Sequence, residues 1–262
     1  MRLVTFNLLH GRSPDDGVVS AERLHDAVVG LDADVLALQE VDHDQPRSAH
    51  VDQTALAARA LGAGHARYLP ALVGTPGQSW REATPEDAPG VGPTYGIGLV
   101  SRLPVARWVR IPLGTSPVTL PLLVDARRPA MVRDEPRLGL AAVLAPPAPV
   151  GTVVATHLSF APGFNVVQLA RLVRAVCDLP GPVVLLGDLN LPGPVPGAVL
   201  GVPRPRWEPL GRALTFPSAE PRIQLDHALV RVEPAHPAPP VAQVRTIVTP
   251  VSDHRALVVD LA

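Results

Sequence analysis

An apolar run, Leu185-Leu186, stops at Gly187-Asp188-Leu189-Asn190. On an extended backbone, side chains two apart point the same way, so Asp188 and Asn190 present a carboxylate and an amide to one spot beyond a strand's end. A phosphoryl group and its cation would find partners there. Asp and Asn are also ordinary turn residues after a strand, so the tetrapeptide takes its meaning from the other polar groups that break apolar runs. Arg2-Leu3-Val4-Thr5-Phe6 ends in Asn7, Val35-Leu36-Ala37-Leu38-Gln39 leads to Glu40, and Val153-Val154-Ala155-Thr156 leads to His157. Ile223-Gln224-Leu225-Asp226-His227 and Val251-Ser252-Asp253-His254 close the set. Phosphoester cleavage needs a cation, a nucleophilic water and help for the leaving oxygen. Glu40, Asp188 and Asp253, with Asn7 and Asn190, are hard oxygen ligands suited to Mg²⁺ or Mn²⁺, and no cysteine or multi-histidine cage points to zinc. Asp226 and His254 form a further unit: a carboxylate bonded to one imidazole nitrogen fixes the tautomer and raises basicity, leaving the other nitrogen to work on water or phosphate.

In their order along the chain these motifs resemble the endonuclease/exonuclease/phosphatase superfamily of deoxyribonuclease-like metallophosphoesterases, and the resemblance spans nearly the whole sequence. It implies an α/β fold, a four-layer α/β sandwich of two facing mixed β-sheets flanked by helices. It also implies a divalent-metal-dependent phosphoester hydrolase using Mg²⁺ or Mn²⁺. By resemblance, Glu40 is the principal metal ligand, assisted by Asn7 and Asp253, while Asp226 and His254 act as a pair. Asp188 would align or activate the water, and Asn190 would orient Asp188 and contact phosphate; which group takes the proton stays open. His157, in Thr156-His157-Leu158, matches members whose histidine contacts phosphate or protonates the leaving group. Abasic-site endonucleases lack that histidine and use a tyrosine, with which Thr94 rather than Tyr95 is in register. Arg47-Ser48, Asp52-Gln53 and Glu135-Pro136-Arg137 resemble patterns of bacterial members. Arg137 suits either a bidentate grip on phosphate or a surface ion pair. His10 either faces the cleft or caps a turn, and Tyr95 and His227 read as wall residues.

These residues need a scaffold that gathers them. Asn7 and His254 stand at opposite ends of 262 residues, so one site requires one fold, a single catalytic domain over 1–262. Hydrophobic content of 47% with 18% charged residues supplies a globular core. Lysine is absent, and a formal net charge of −1 gives no global positive field for nucleic acid. A small or lipid phosphodiester is therefore favoured over duplex DNA, with a nuclease acting on DNA or RNA as the alternative. A catalytically inactive binding module is the alternative of another class, and the presence of Glu40, Asp188 and His254 argues against it. No run approaches membrane-spanning length and no leader is seen, so a cytoplasmic protein is expected that could still act on membrane lipid.

Ser20 and Asp52 are predicted to cap helices over about 21–30 and up to Leu61, and a third helix is expected over about 166–178, with Cys177 in the core. Leu69 to Val73, Gly96 to Ser101, Val105 to Ile111 and Leu138 to Leu144 read as strands. Gly74 to Pro93 is expected as a long surface loop, and the Pro-rich stretch Leu191 to Pro209 as surface wrapping.

Overall fold

Strands that are apolar on both faces need cover on both, and this chain supplies it by stacking two sheets between helices. The structure is a computed structural model and describes residues 1–87, 90–124, 128–201 and 206–262. One sheet of seven described strands runs β14 (Val241–Ile247), β15 (Ala256–Leu261), β1 (Arg2–Asn7), β2 (Val35–His43), β5 (Thr94–Ser101), β3 (His65–Gly74), β4 (Trp80–Glu82). The six-stranded sheet runs β12 (Arg206–Pro209), β13 (Asp226–Val232), β11 (Val183–Asp188), β10 (Thr152–His157), β9 (Arg137–Leu144), β6 (Val105–Gly114). β7 (Thr119–Val124) and β8 (Arg128–Arg133) pair separately. Both large sheets are mixed, with one parallel pair inside each, β1 beside β2 and β10 beside β11.

Alternation decides which side chain enters which layer. Leu3, Val35 and Ala37 from the first sheet meet Leu140, Val153, Ala155, Val184, Leu186 and Ala228 from the second in a shared apolar layer. The opposite face of the first sheet, with Val4, Phe6, Leu36 and Leu38, is covered by α1 (Ala21–Leu31) and α2 (Gln53–Leu61). The outer face of the second, with Ala141, Val154 and Leu185, is covered by α3 (Phe164–Ala175) and α4 (Val195–Leu200). The layers are thus helix, sheet, sheet, helix, as the resemblance implied. Each fully buried Leu or Val in them contributes about 2 kcal/mol of burial. Ser20 and Asp52 cap α1 and α2 as expected, accepting from the backbone N of Arg23 and Ala55 at 3.2 and 2.8 Å.

Some expectations need correction. The stretch from Gly74 to Pro93 is not all loop: β4 folds back on the end of β3, pairing Leu72 with Glu82. Its residues 88 and 89 lie outside the described residues. The Pro-rich stretch after Leu191 holds α4 and β12, and 202–205 lie outside the described residues. α3 stops at Ala175, so Val176 turns inward while Cys177 is exposed rather than in the core. No helix among the described residues is long and apolar enough to cross a membrane.

Candidate active site

Strand direction gathers the polar residues at one edge of the sandwich. Asn7, His157 and Asp188 are the last residues of β1, β10 and β11. The strands antiparallel to these begin at the same edge: β13 with Asp226, β9 with Arg137, and β15 just after His254. Register then aligns His157, Asp188 and Asp226 in one row across three neighbouring strands. Each ends an alternating series that faces the other sheet, Val153-Ala155-His157, Val184-Leu186-Asp188 and Ala228-Asp226. The site is the polar rim of the inter-sheet core.

Glu40 reaches the site by a different device. Gln39 continues the inward series of Val35 and Ala37, so regular alternation would turn Glu40 toward the helices. The pairing of β2 with β5 shifts between Leu38 and Val41, and Glu40 sits at φ +56. Such a bulge re-aims a side chain beside a functional edge. Asn7 then bridges the two sheets: its Nδ2 donates to Glu40 Oε1 at 3.0 Å and to Asp188 Oδ2 at 3.1 Å. Its Oδ1 is occupied by the backbone N of Leu9 at 3.1 Å. Ser252 Oγ ties the His254 loop down, donating to the carbonyl of Asn7 at 2.6 Å and accepting from His254 N at 3.0 Å.

His254 Nδ1 lies 2.8 Å from Asp226 Oδ2, and its Nε2 lies 3.9 Å from Asp188 Oδ2. Burial lowers the basicity of His254, but Asp226, Asp188 and Asp253 outweigh it and hold the imidazole up at about 10. His157 Nε2 approaches the same Asp188 oxygen at 3.6 Å, and its Nδ1 meets Arg137 Nη1 at 3.0 Å. Burial, then the charge of Arg137, holds His157 well below the ordinary histidine range. Asp188 is pushed up by burial and by Asp226. Glu40 is pushed up by burial and by Asp253. The sheets therefore press together carboxylates whose charge the protein itself does not fully neutralise. Asp188, Asp226 and His254 form a group that could hold a metal, with ligand atoms within 4.8 Å of one another.

The other expected residues fall around this centre. Asn190 orients Asp188 through its backbone N, 2.9 Å from Asp188 Oδ1, while its side-chain Nδ2 donates to the carbonyl of Leu158 at 3.0 Å. Tyr95 is buried against Arg47, whose guanidinium lies 5.5 Å from the ring centre and grips Asp42 bidentately at 2.7 and 2.9 Å. His10 lies on the Arg47 side, where burial and the charges of Arg47 and Arg12 lower it to about 3. His227 packs as a wall residue, its Nε2 2.8 Å from the carbonyl of Leu191. Two residues outside the expected site set also face it. Glu135 is raised to about 7 by burial and by the charge of Glu40, against the pull of Arg137, and Asp134, fully buried, holds Arg137. The sequence signal for both was the acidic pair before Pro136-Arg137.

These shifts fix a pH dependence for the metal-free protein. Glu135 is held above its ordinary 4.5 and His254 above its ordinary 6.5, so their stabilisation is present at low pH and is lost as pH rises through about 7 and about 10. His157 and His227 are lowered from 6.5, so their opposing contribution is complete above that value. In EDTA, Tm is expected to fall steadily from pH 6.5 toward 10, and Glu135→Gln should flatten the first part of that fall. A Tm that is level or rising over this window in thermal denaturation contradicts the assignment.

Comparison with known proteins agrees with this architecture. A crystal structure of an endonuclease/exonuclease/phosphatase from Beutenbergia cavernae shares 26% identity with a TM-score of 0.68, over 100% of this chain and 71% of that one. The human Nocturnin catalytic domain with bound sulfate shares 18% identity, with a TM-score of 0.62 over 100% of this chain and 94% of that one. The Bacteroides thetaiotaomicron mannosyl-6-phosphatase Bt3783 shares 16%, with a TM-score of 0.60 over 100% and 99%. No curated protein sequence matches this chain. The family model described as Endonuclease/Exonuclease/phosphatase family matches residues 4–254. A match from the first parallel strand to His254 covers every polar residue named at the rim, and the chain belongs to the endonuclease/exonuclease/phosphatase family.

Proposed function

We propose that this chain is a divalent-metal-dependent phosphoester hydrolase, a phosphodiesterase for a small or lipid phosphodiester. The observation that carries the reading is convergence: the Nε2 atoms of His157 and His254 both approach one Asp188 oxygen, while Asn7 links that same oxygen to Glu40. Structurally similar proteins include the mannosyl-6-phosphatase Bt3783, which supports phosphoester chemistry without naming the substrate of this chain.

The donor set fits Mg²⁺ or Mn²⁺. Glu40 and Asp253 repel one another, and the buried Oδ1 of Asp226 has no hydrogen-bond partner. Glu40 and Asp253 would hold the ion. Asn7 would join them by turning its oxygen toward Glu40, giving up the bond from Leu9. A bound cation would neutralise phosphate oxygens and lower the pKa of the attacking water. Asp226 fixes His254 so that its Nε2–H faces the phosphate, and Asp188 orients the water and accepts its proton. His157 donates to a phosphate oxygen, and Asn190 holds the Asp188 loop.

Substrate preference rests on charge and shape. An open cavity of about 620 Å³ lies along the loops after Asn190 and before Asp226, with Pro192, Val195, Leu214 and Ile223 as walls and Arg212 and Arg222 among its lining. Such a surface suits a group with an apolar part and a negative charge. An assay with Mg²⁺ or Mn²⁺ against plasmid DNA, single-stranded RNA, sphingomyelin, phosphoinositides and a chromogenic bis-ester tests the reading. Turnover of a small or lipid diester is expected. Preferential cleavage of nucleic acid would replace it with the nuclease, and inactivity on all of them would favour a binding module.

Within this reading, His157→Ala should cost at least tenfold more activity than Tyr95→Phe, since a phosphate-facing imidazole acts in the transition state and a buried phenol mainly packs. Efficient incision of an abasic duplex, or equal losses in the two variants, contradicts the role given to His157.

A further inference from the structure

His157 is flanked by hydrogen-bond donors, and that conflict determines where its proton sits. Arg137 Nη1 lies 3.0 Å from Nδ1, and Asn190 Nδ2 lies 3.3 Å from Nε2. A neutral imidazole has one accepting nitrogen, so it can satisfy only one of the two. The guanidinium never accepts, and its bond is the shorter and the charge-assisted one, about twice as strong as a neutral bond. Nδ1 is therefore bare and Nε2 carries the hydrogen, which points to Asp188 Oδ2 at 3.6 Å. Asn190 Nδ2 has its own acceptor, the Leu158 carbonyl at 3.0 Å.

What aims the guanidinium is a fully buried carboxylate. Asp134 Oδ1 accepts from Arg137 Nη2 at 3.2 Å, and Asp134 Oδ2 accepts from Ser159 Oγ at 2.6 Å. Ser159 is pinned in turn, its Oγ accepting from Ala161 N at 2.9 Å and its N donating to Gln168 Oε1 at 2.8 Å. A chain of fixed partners thus runs from α3 to the imidazole. We propose that Asp134, braced by Ser159, is a positioning residue that acts through Arg137 to hold His157 in the tautomer with bare Nδ1 and protonated Nε2. The functional consequence rests on the reading that His157 works at the phosphate, whereas the tautomer itself does not depend on it. In that form His157 donates to a phosphate oxygen and cannot be recharged through Nδ1 while Arg137 stays in place. The partner of this histidine is an arginine, which forces the opposite tautomer from the one a carboxylate at Nδ1 would select.

The experiment is ring-nitrogen NMR on protein labelled with ¹⁵N-histidine, in EDTA near neutral pH, with His157→Gln to assign the signals. The wild type should show His157 as the single Nε2–H tautomer. Asp134→Asn and Arg137→Met should convert it to a comparable mixture of both tautomers, and Ser159→Ala should give a smaller shift in the same direction. A wild-type Nδ1–H form, or an Nε2–H form unmoved by both Asp134→Asn and Arg137→Met, overturns the proposal. If Asp134→Asn fails to fold, Arg137→Met and Ser159→Ala carry the same two outcomes. Absence of hydrolysis on every substrate would sink the proposed function while leaving the NMR result to stand or fall alone.

Discussion

Glu40→Gln is expected to lower turnover by about 10³-fold, the equivalent of about 4 kcal/mol of the several that a cation supplies to transition-state charge. The substitution keeps shape and hydrogen bonding at the bulge, so the loss reports charge. A second signature separates this from misfolding. Glu40 is burdened by burial and by Asp253 in the metal-free protein, so removing its charge should raise Tm in EDTA and abolish much of the stabilisation gained on adding Mn²⁺. Kinetics across a Mg²⁺ or Mn²⁺ titration, with Tm beside it, measures both. Hydrolysis that survives EDTA together with an unaffected Glu40→Gln variant would sink the metal assignment.

Loss of Asp226 and loss of His254 should be nearly the same event. The carboxylate lies 2.8 Å from Nδ1 and is fully buried, so its effect reaches the substrate by orienting and charging the imidazole. Asp226→Asn and His254→Ala are each expected to cost on the order of 10³- to 10⁴-fold in kcat, and the double variant little more than the larger single loss. Losses that multiply in the double variant would make them independent residues.

The polar rim was legible in the sequence because strands report themselves twice. Their alternation places Val153-Ala155-His157 and Val184-Leu186-Asp188 on one face, and their polar ends then stand out against the apolar runs. The caps at Ser20 and Asp52 were legible for the same local reason. Most of what the sequence does not show is set by contacts distant along the chain. The fold-back of β4 onto β3 depends on a partner strand, and nothing in residues 80–82 announces it. The bulge that turns Glu40 inward is a property of the pairing with β5, so the residue was identified by type and its geometry was not. Asp134 reads as one more acid before a proline until Arg137, Ser159 and His157 are seen around it. Cys177 is exposed although the helical pattern in the sequence runs on to Asp178, three residues past the end of the helix at Ala175.

The layer between the sheets has a role beyond cohesion. Glu40 belongs to one sheet and Asp188, Asp226 and His157 to the other, so their separation is set by the thickness of what lies between. Much of that thickness near the rim is small side chains, Ala37, Ala155 and Ala228, all nearly or fully buried. These alanines act as spacers: a methylene added or removed there moves one half of the site relative to the other, because a close-packed interior transmits strain instead of absorbing it. A displacement of about 1 Å far from the chemistry can cost about 10²-fold in rate. The gap between the carboxylates is therefore written in residues outside the polar rim, and drift in the core would shift the two halves of the site before it unfolded the protein.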